Sequence, residues 1–443
     1  MAIQPRPFWK RPSTRLGWWA VGLAAAFAAV LALTVLVLLP ALEAGPPVPG
    51  IQIWVALYII LMLLGALAAA ACALAAMVRK RERSWLVWLA FLPAAFAAVP
   101  VANELMALFQ GRVDAALSAL EPIPPHAIAA DAQPLVIDTD MAADDWLAIL
   151  YLLGRSDVDV QAITVTGTGE AHCDAGTRNA LGLAALAGRP AIPVACGRET
   201  PLAGDRAFPE EWREAVDHLF GLELPRNSRG PAADSAVALL TRIVAGSPRQ
   251  VHLVVLGPLT NVAEALAARP TLAANLAGIT IMGGAVGVAG NADPDFDGEN
   301  VVAEWNFYVD PQAAAEVFGS GAPITLVPLD ATNTVPLSAG FYRRLEGDRT
   351  TAVAEFVYRT LGAMEERIRS GSYYFWDPLA AALATEPGLG SFQEMPLVVV
   401  VGDGAESGRT VQDAGGFPIR VAVAADRERF ETLFLDAVNG RLP

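Results

Sequence analysis

The chain has 443 residues, with 31 Lys/Arg against 46 Asp/Glu for a formal net charge of −15, and 54% of its residues are hydrophobic. That length allows two or more folding units with a sizeable core, and the acidic balance argues against the basic face that nucleic-acid binding needs. Cys173 and Cys196 could pair outside the cell, but three cysteines without zinc-like spacing decide nothing further.

The hydrophobic excess is local. Segments 16–42, 51–78 and 85–103 contain no charged residue, and each is long enough to cross about 30 Å of hydrocarbon as a helix. The third contains Pro93 and Pro100, so a re-entrant or buried helix is its alternative. Arg6, Lys10, Arg11 and Arg15 precede the first segment, Arg79, Lys80, Arg81 and Arg83 separate the second from the third, and the loop between the first two carries no basic residue. The positive-inside rule then puts the N-terminus and the Arg79–Arg83 loop in the cytoplasm. Three spans put everything beyond them outside it; two would leave it inside. No ionisable residue lies mid-span, which argues against transport by these helices alone. The expected organisation is an all-α transmembrane region over 1–110, a Pro-containing linker over 111–133, and a second domain over 134–443.

That domain opens with PLVIDTDMAADDW. Residues 134–137 read as a buried strand and 146–153 as a helix. Asp138, Asp140, Asp144 and Asp145 therefore fall on the turn leaving the strand's carboxyl end, where open α/β sheets place ligands. Like charges so close need a cation or hydrogen-bond donors, and several hard oxygens at one point suit Ca²⁺ or Mg²⁺. Helix capping alone uses one or two acids, not four. An EF-hand fits poorly, because Ala143 and Ile149 stand where it needs Gly and Glu. A phosphatase of the haloacid dehalogenase type also starts Asp-x-Asp, but Ala142 replaces its usual Thr or Val.

Further strands are expected at 158–165, 191–195, 251–256, 278–282 and 324–328, and helices at 175–187, 235–245, 261–268 and 311–318. This alternation predicts an α/β fold with a mostly parallel central sheet and helices on both faces. The GTGEAH turn lacks the last Gly of a dinucleotide fingerprint, so NAD is not expected.

Several of these strand ends carry polar or Gly-rich groups. In chain order they are DTDMAADD, TGTGEAH (166–172), GPLTN (257–261), MGG (282–284), Gly290–Asn291, AEWN (303–306) and WDPLA (376–380). Each is weak alone, since Gly and Asn are ordinary turn residues. Together, with ETPL, YVDPQAA and RTVQD, they resemble the inosine-uridine-preferring nucleoside hydrolase family from about Pro134 onward. The resemblance implies a Rossmann-like fold and hydrolysis of the ribonucleoside N-glycosidic bond around one Ca²⁺. It implies metal ligation by Asp140, Asp145, the backbone carbonyl of Thr260, and Asp377, with Asp140 also as general base. It implies a sugar site of Asp144, Met282, Asn291, Glu304 and Asn306. A ring of carboxylates suits this chemistry, because breaking the ribosyl C–N bond builds positive charge at C1′.

Two departures from the family pattern matter. Trp376 stands where many members have His as acid for the leaving base, and Gly169–Glu170 replaces Gly-Asn. A purine-preferring branch has Trp at the first position and an acid near the second, so Trp376 is read as stacking on the base and Glu170 as a substrate contact. Phe208 or Trp212 could supply a second ring, and His172 a substitute acid; His218 suits a core or surface role. The resulting expectation is a purine-preferring hydrolase of small-molecule ribonucleosides, integral to the inner or plasma membrane, with its catalytic domain extracytoplasmic. The resemblance also allows a homo-oligomer. The alternative is a membrane-anchored nucleoside-binding sensor without turnover, suggested by the missing His.

Overall fold

The computed structural model describes residues 12, 14–33, 68–78, 85–90, 128–292 and 300–442. The chain forms two compact units, 1–116 and 117–443.

The described part of the first unit is helical, over Arg15–Leu33, 68–78 and Trp85–Leu89. Ala20, Ala73, Ala76, Val87 and Ala90 are buried together in it, while Trp18, Trp19 and Trp88 are exposed. Among the described residues no helix is long and apolar enough to cross a membrane. The expected spans over 16–42, 51–78 and 85–103 are therefore not met by any described helix. Arg15–Leu33, with 19 residues, is the described helix of the first segment. The remainder of each segment, and most of the linker over 111–133, lies outside the described residues.

The second unit is built on a nine-stranded sheet. Its strands are β1 (Gln133–Thr139), β2 (Val158–Val165), β3 (Val194–Cys196), β4 (Val251–Val255), β5 (Leu276–Met282), β6 (Ile324–Val327), β7 (Gly390–Val399), β8 (Thr410–Gln412) and β9 (Phe417–Ala425). Their spatial order is β3-β2-β1-β4-β5-β6-β9-β7-β8. All pairings from β3 across to β9 are parallel, and β7 runs antiparallel to both β9 and β8. The chain winds outward from β1 to β3, then returns to lay β4 on the other side of β1. The gap between the carboxyl ends of β1 and β4 is thus a topological switch point, the usual ligand crevice of such sheets.

Strand β1 shows why the sheet is covered on both faces. Leu135 and Ile137 point into one core and Val136 into the other. The first core holds α1 (Ala143–Leu153), α2 (Cys173–Leu186), α3 (Glu210–Asp217), α8 (Trp376–Thr385) and α9 (Arg427–Val438), with Trp146, Tyr151, Phe375, Phe430 and Phe434 fully buried among them. The second holds α4 (Ala236–Gly246), α5 (Thr260–Ala268) and α7 (Pro311–Phe318). Helix starts follow local chemistry: Ser235 Oγ accepts from Ala238 N at 3.3 Å and Asp310 Oδ1 from Ala313 N at 3.0 Å, each satisfying an otherwise unpaired first-turn amide. Every strand and helix expected between 134 and 328 is present. β3 lies later than expected, because Pro193 has no N–H for the ladder and only its carbonyl pairs, with Ile163 N at 3.0 Å.

Candidate active site

The turn after β1 gathers the acids. Met141 takes a left-handed conformation with φ 62°, costly for a residue with a Cβ, and Trp146 Nε1 fixes it by donating to Met141 O at 2.8 Å. The chain then enters α1 with Asp144 and Asp145 in its first turn, where the helix dipole favours negative charge. Asp145 Oδ1 accepts from Asp140 N at 3.1 Å and from the Thr139 hydroxyl. Asp140 takes amide hydrogens from Ala142 at 3.3 Å and Glu170 at 3.2 Å. Two glycines let the neighbouring turns close on it: a Cβ at Gly169 would lie 1.9 Å, and one at Gly257 2.6 Å, from Asp140 Cβ. Asp377 arrives from the first turn of α8. Carboxylate oxygens of Asp144, Asp145 and Asp377 all lie within 4.8 Å of one another.

These acids floor a cavity of about 830 Å³ at the switch point. Asp140, Asp144, Asp145, Glu170, Met282, Asn291, Glu304, Asn306, Trp376 and Asp377 all line it. Loops and α6 (Trp305–Val309) hold the sugar-site candidates in order. Glu304 accepts from the amides of Asn306 (3.0 Å), Gly284 (3.0 Å) and Phe307 (3.3 Å). Asn306 Nδ2 donates to the carbonyls of Leu256 (3.1 Å) and Met282 (3.2 Å), and Asn291 Oδ1 accepts from Trp305 N at 3.1 Å.

Thr260 is the exception. It does not line the cavity; its hydroxyl donates to Asp310 Oδ2 at 2.7 Å and meets Thr168 Oγ1 at 3.0 Å. The residue of this stretch that reaches the cavity is Leu256, directly after β4. Four residues farther on, the chain has already turned into α5. Asp138 also parts from the other acids. Its Oδ1 accepts from Thr164 Oγ1 at 2.5 Å and Asn261 Nδ2 at 2.8 Å, a buried link between β1, β2 and α5. His172 is not a cavity residue: its Nδ1 lies 2.8 Å from Asp217 Oδ2 and its Nε2 3.6 Å from Glu210. His218 is exposed and holds the Glu214 carbonyl at 2.8 Å. Phe208 stacks on Trp305 at 5.0 Å and Trp212 meets it at 5.4 Å, both on the cavity wall. Trp376 packs edge-on to Tyr373 at 5.0 Å.

Residues the sequence did not mark include Leu256, Phe220, Tyr373 and Arg367, all of which line the cavity. Arg213 lies just outside it, buried, with Nη2 donating to Gly167 O at 3.2 Å. None of them sits in a motif with recognisable spacing.

The electrostatics follow from burial. Loss of water pushes Asp138, Asp144 and Glu304 each up to about 7, with repulsion from Asp140 adding to all three. Asp140 is also raised, and Asp145, Glu170 and Asp377 stand well above the usual carboxylate range. Asp145 Oδ2 and Asp377 Oδ1 are buried without any hydrogen-bond partner. Unpartnered buried oxygens are costly, and an all-oxygen donor set suits a hard divalent cation, which would also reverse the upward shifts.

Residues 135–432 match the family model of inosine-uridine preferring nucleoside hydrolases. A pyrimidine-specific ribonucleoside hydrolase, RihA, of Klebsiella pneumoniae is 37% identical over 229 residues, covering 51% of this chain and 70% of that protein. Its Citrobacter koseri counterpart is 39% identical over 208 residues, covering 47% and 64%. Among solved structures, a plant nucleoside hydrolase, PpNRh1, superposes with TM-score 0.62 at 30% identity, covering 71% of this chain and 99% of that one. A purine-preferring ribonucleoside hydrolase from Gardnerella vaginalis does so with TM-score 0.60 at 28% identity, covering 70% and 99%.

Proposed function

Because this chain belongs to the inosine-uridine preferring nucleoside hydrolase family and is a nucleoside hydrolase, we propose that it splits ribonucleosides into base and ribose at the acid-floored cavity, with Ca²⁺ as its metal. The observation that carries this reading is the convergence of Asp144, Asp145 and Asp377 within 4.8 Å at the floor of that cavity. Asp140, Asp145, Asp377 and the Leu256 carbonyl, in place of that of Thr260, are the groups that would hold the ion. When bound, it would acidify the attacking water and orient the sugar hydroxyls.

Asp140 acts as the general base that takes a proton from water. The surrounding carboxylates oppose the positive charge developing at C1′. Asp144, Asn291, Glu304 and Asn306 bind the ribose, with Met282 against its apolar side. Their hydrogen bonds to backbone already fix their rotamers, so orientation is paid before the substrate arrives. Trp376 stacks on the base, and Glu170 lies beside it. This aromatic wall favours a purine, whose larger ring gains more from stacking. The pyrimidine specificity of the Klebsiella and Citrobacter relatives favours the second reading, that the same wall takes uridine or cytidine.

The test is release of reducing sugar from inosine, guanosine, adenosine, uridine and cytidine by the full chain, with and without chelator. Turnover that a chelator abolishes and Ca²⁺ restores supports the proposal. Bound nucleoside with no release of sugar from any of the five overturns it.

The same reading includes membrane anchorage by the first unit, with the second unit outside the cytoplasm. Its support is the pair Cys173–Cys196, bonded as a disulfide between α2 and β3, which persists in oxidising compartments, together with the basic residues flanking the apolar segments. Protease digestion of intact cells against permeabilised ones tests it: a second unit protected in intact cells overturns that placement.

A further inference from the structure

Among the described residues lining the cavity there are six carboxylates and one cation, Arg367. Its placement is unlike that of an ordinary surface arginine. Its neighbour Arg369 pairs with Glu365 at 3.6 Å on the same short helix, Glu365–Ser370. Arg367 has no ion pair among the described residues. Its guanidinium carbon instead lies 5.4 Å from the centroid of the Tyr373 ring, and that ring packs edge-on against Trp376 at 5.0 Å. Arg367, Tyr373 and Trp376 therefore form a row from the rim to the start of α8, where Asp377 joins the floor. Gly371, with φ 75°, ends the short helix, and Ser372 N donates to Arg367 O at 3.0 Å, so the backbone beneath the arginine is fixed while its side chain is exposed at the mouth. The charge acts inward, lowering the proton affinity of Asp144 and Glu170.

We propose that Arg367 is the group that stabilises the departing base, and that it makes the enzyme favour bases bearing a ring carbonyl. The inference rests on the nucleoside hydrolase reading and deepens it. The C1′–N bond breaks with its electron pair going to the base nitrogen. Water supplies hydroxide to C1′ and its proton to Asp140, and the base anion takes a proton from solvent after it leaves. In the anion, negative charge spreads onto the carbonyl oxygen of hypoxanthine, guanine, uracil or cytosine. A guanidinium stays protonated at any working pH, so it cannot replace the missing acid by proton transfer, but its paired N–H donors fit such an oxygen. Adenine has no ring carbonyl and presents an exocyclic amino group in its place, a donor facing a donor. All the cavity acids but Glu170 serve the metal and the sugar, and among the described residues the one cation, Arg367, sits at the rim, where the base must leave.

The experiment compares the Ca²⁺-loaded full chain with Arg367→Gln and Arg367→Lys. Substrates are inosine, uridine, adenosine, cytidine and 4-nitrophenyl β-D-ribofuranoside, whose leaving group departs as a stable anion unaided. For Arg367→Gln the expected result is a fall in kcat of about 10²-fold on inosine, uridine and cytidine, the scale of losing one charge-stabilising donor. KM should hardly move, because the charge develops only in the transition state. The loss on adenosine, whose base has no carbonyl, should be several-fold smaller, and the nitrophenyl riboside should stay within about threefold of the parent. Arg367→Lys should recover part of the loss. Equal losses on all five substrates, or none on any, overturn the proposal. A parent chain that cleaves only the nitrophenyl riboside overturns the choice of natural substrate as well.

Discussion

At the scale of single residues, Asp140 and Thr260 separate chemistry from scaffold. Asp140→Asn removes the base and keeps one of its two hydrogen bonds, since the Ala142 and Glu170 amides donate to different oxygens of Asp140. It should lower kcat by about 10²- to 10⁴-fold, with the circular dichroism of the parent; activity within tenfold of the parent would move the base elsewhere. Thr260→Val keeps the backbone carbonyl and removes the hydroxyl that Asp310 and Thr168 use. It should cost about 1–3 kcal/mol of stability and leave Ca²⁺ affinity, read by calorimetry, within about twofold. The two residues also mark what was legible. Asp140, Asp145 and Asp377 could be picked out because acids clustered at strand and helix ends have few structural uses. GPLTN was visible too, but which of its carbonyls faces the crevice depends on where β4 stops and α5 begins. Leu256 has no side-chain chemistry to betray it, and Arg367 lies in a segment, EERIRS, that looks like any solvated helix.

Elements tell a parallel story. Strands β1 to β6 were legible because each is an apolar run between turn residues, and the β-helix-β alternation dictated their parallel pairing. The β7–β9 region was not. β7, GSFQEMPLVV, carries Gln, Glu and Pro and is mostly half-exposed or exposed, as befits a strand near the sheet edge. Between these two cases lies the link of α2 to β3 by Cys173–Cys196, a pairing that spacing alone left open. The bond spans 23 residues of sequence, and closing a loop of that order stabilises a fold by about 3 kcal/mol through the unfolded chain. Replacing both cysteines by serine should therefore lower the Tm of the full chain by several degrees. It should leave kcat within about threefold, since neither cysteine lines the cavity. Parent protein treated with reductant should show the same loss; a Tm insensitive to both changes would mean that the bond contributes nothing.

For the molecule as a whole, the packed acids make folding, protonation and metal binding one linked equilibrium. Asp138, Asp144 and Glu304 stand near 7 in the folded chain, against about 4 when unfolded. Between those values the folded state binds more protons than the unfolded one, so stability falls as pH rises. This is the reverse of salt-bridged carboxylates, whose depressed values make a fold stronger as acid is removed. The chelated chain should thus melt at a higher temperature at pH 5 than at pH 8. Asp140, Asp145 and Asp377 are raised as well; a divalent ion held by them competes with protons for their oxygens, so its binding should release protons and its stabilising effect should grow with pH. At an ion concentration 100 times Kd that effect amounts to about 2.7 kcal/mol, enough to level or invert the trend at pH 8. Scanning fluorimetry across pH 5 to 8, with and without Ca²⁺, reads both slopes. If the chelated protein instead grew more stable toward pH 8, the acids would have to be solvated or paired with cations in the fold.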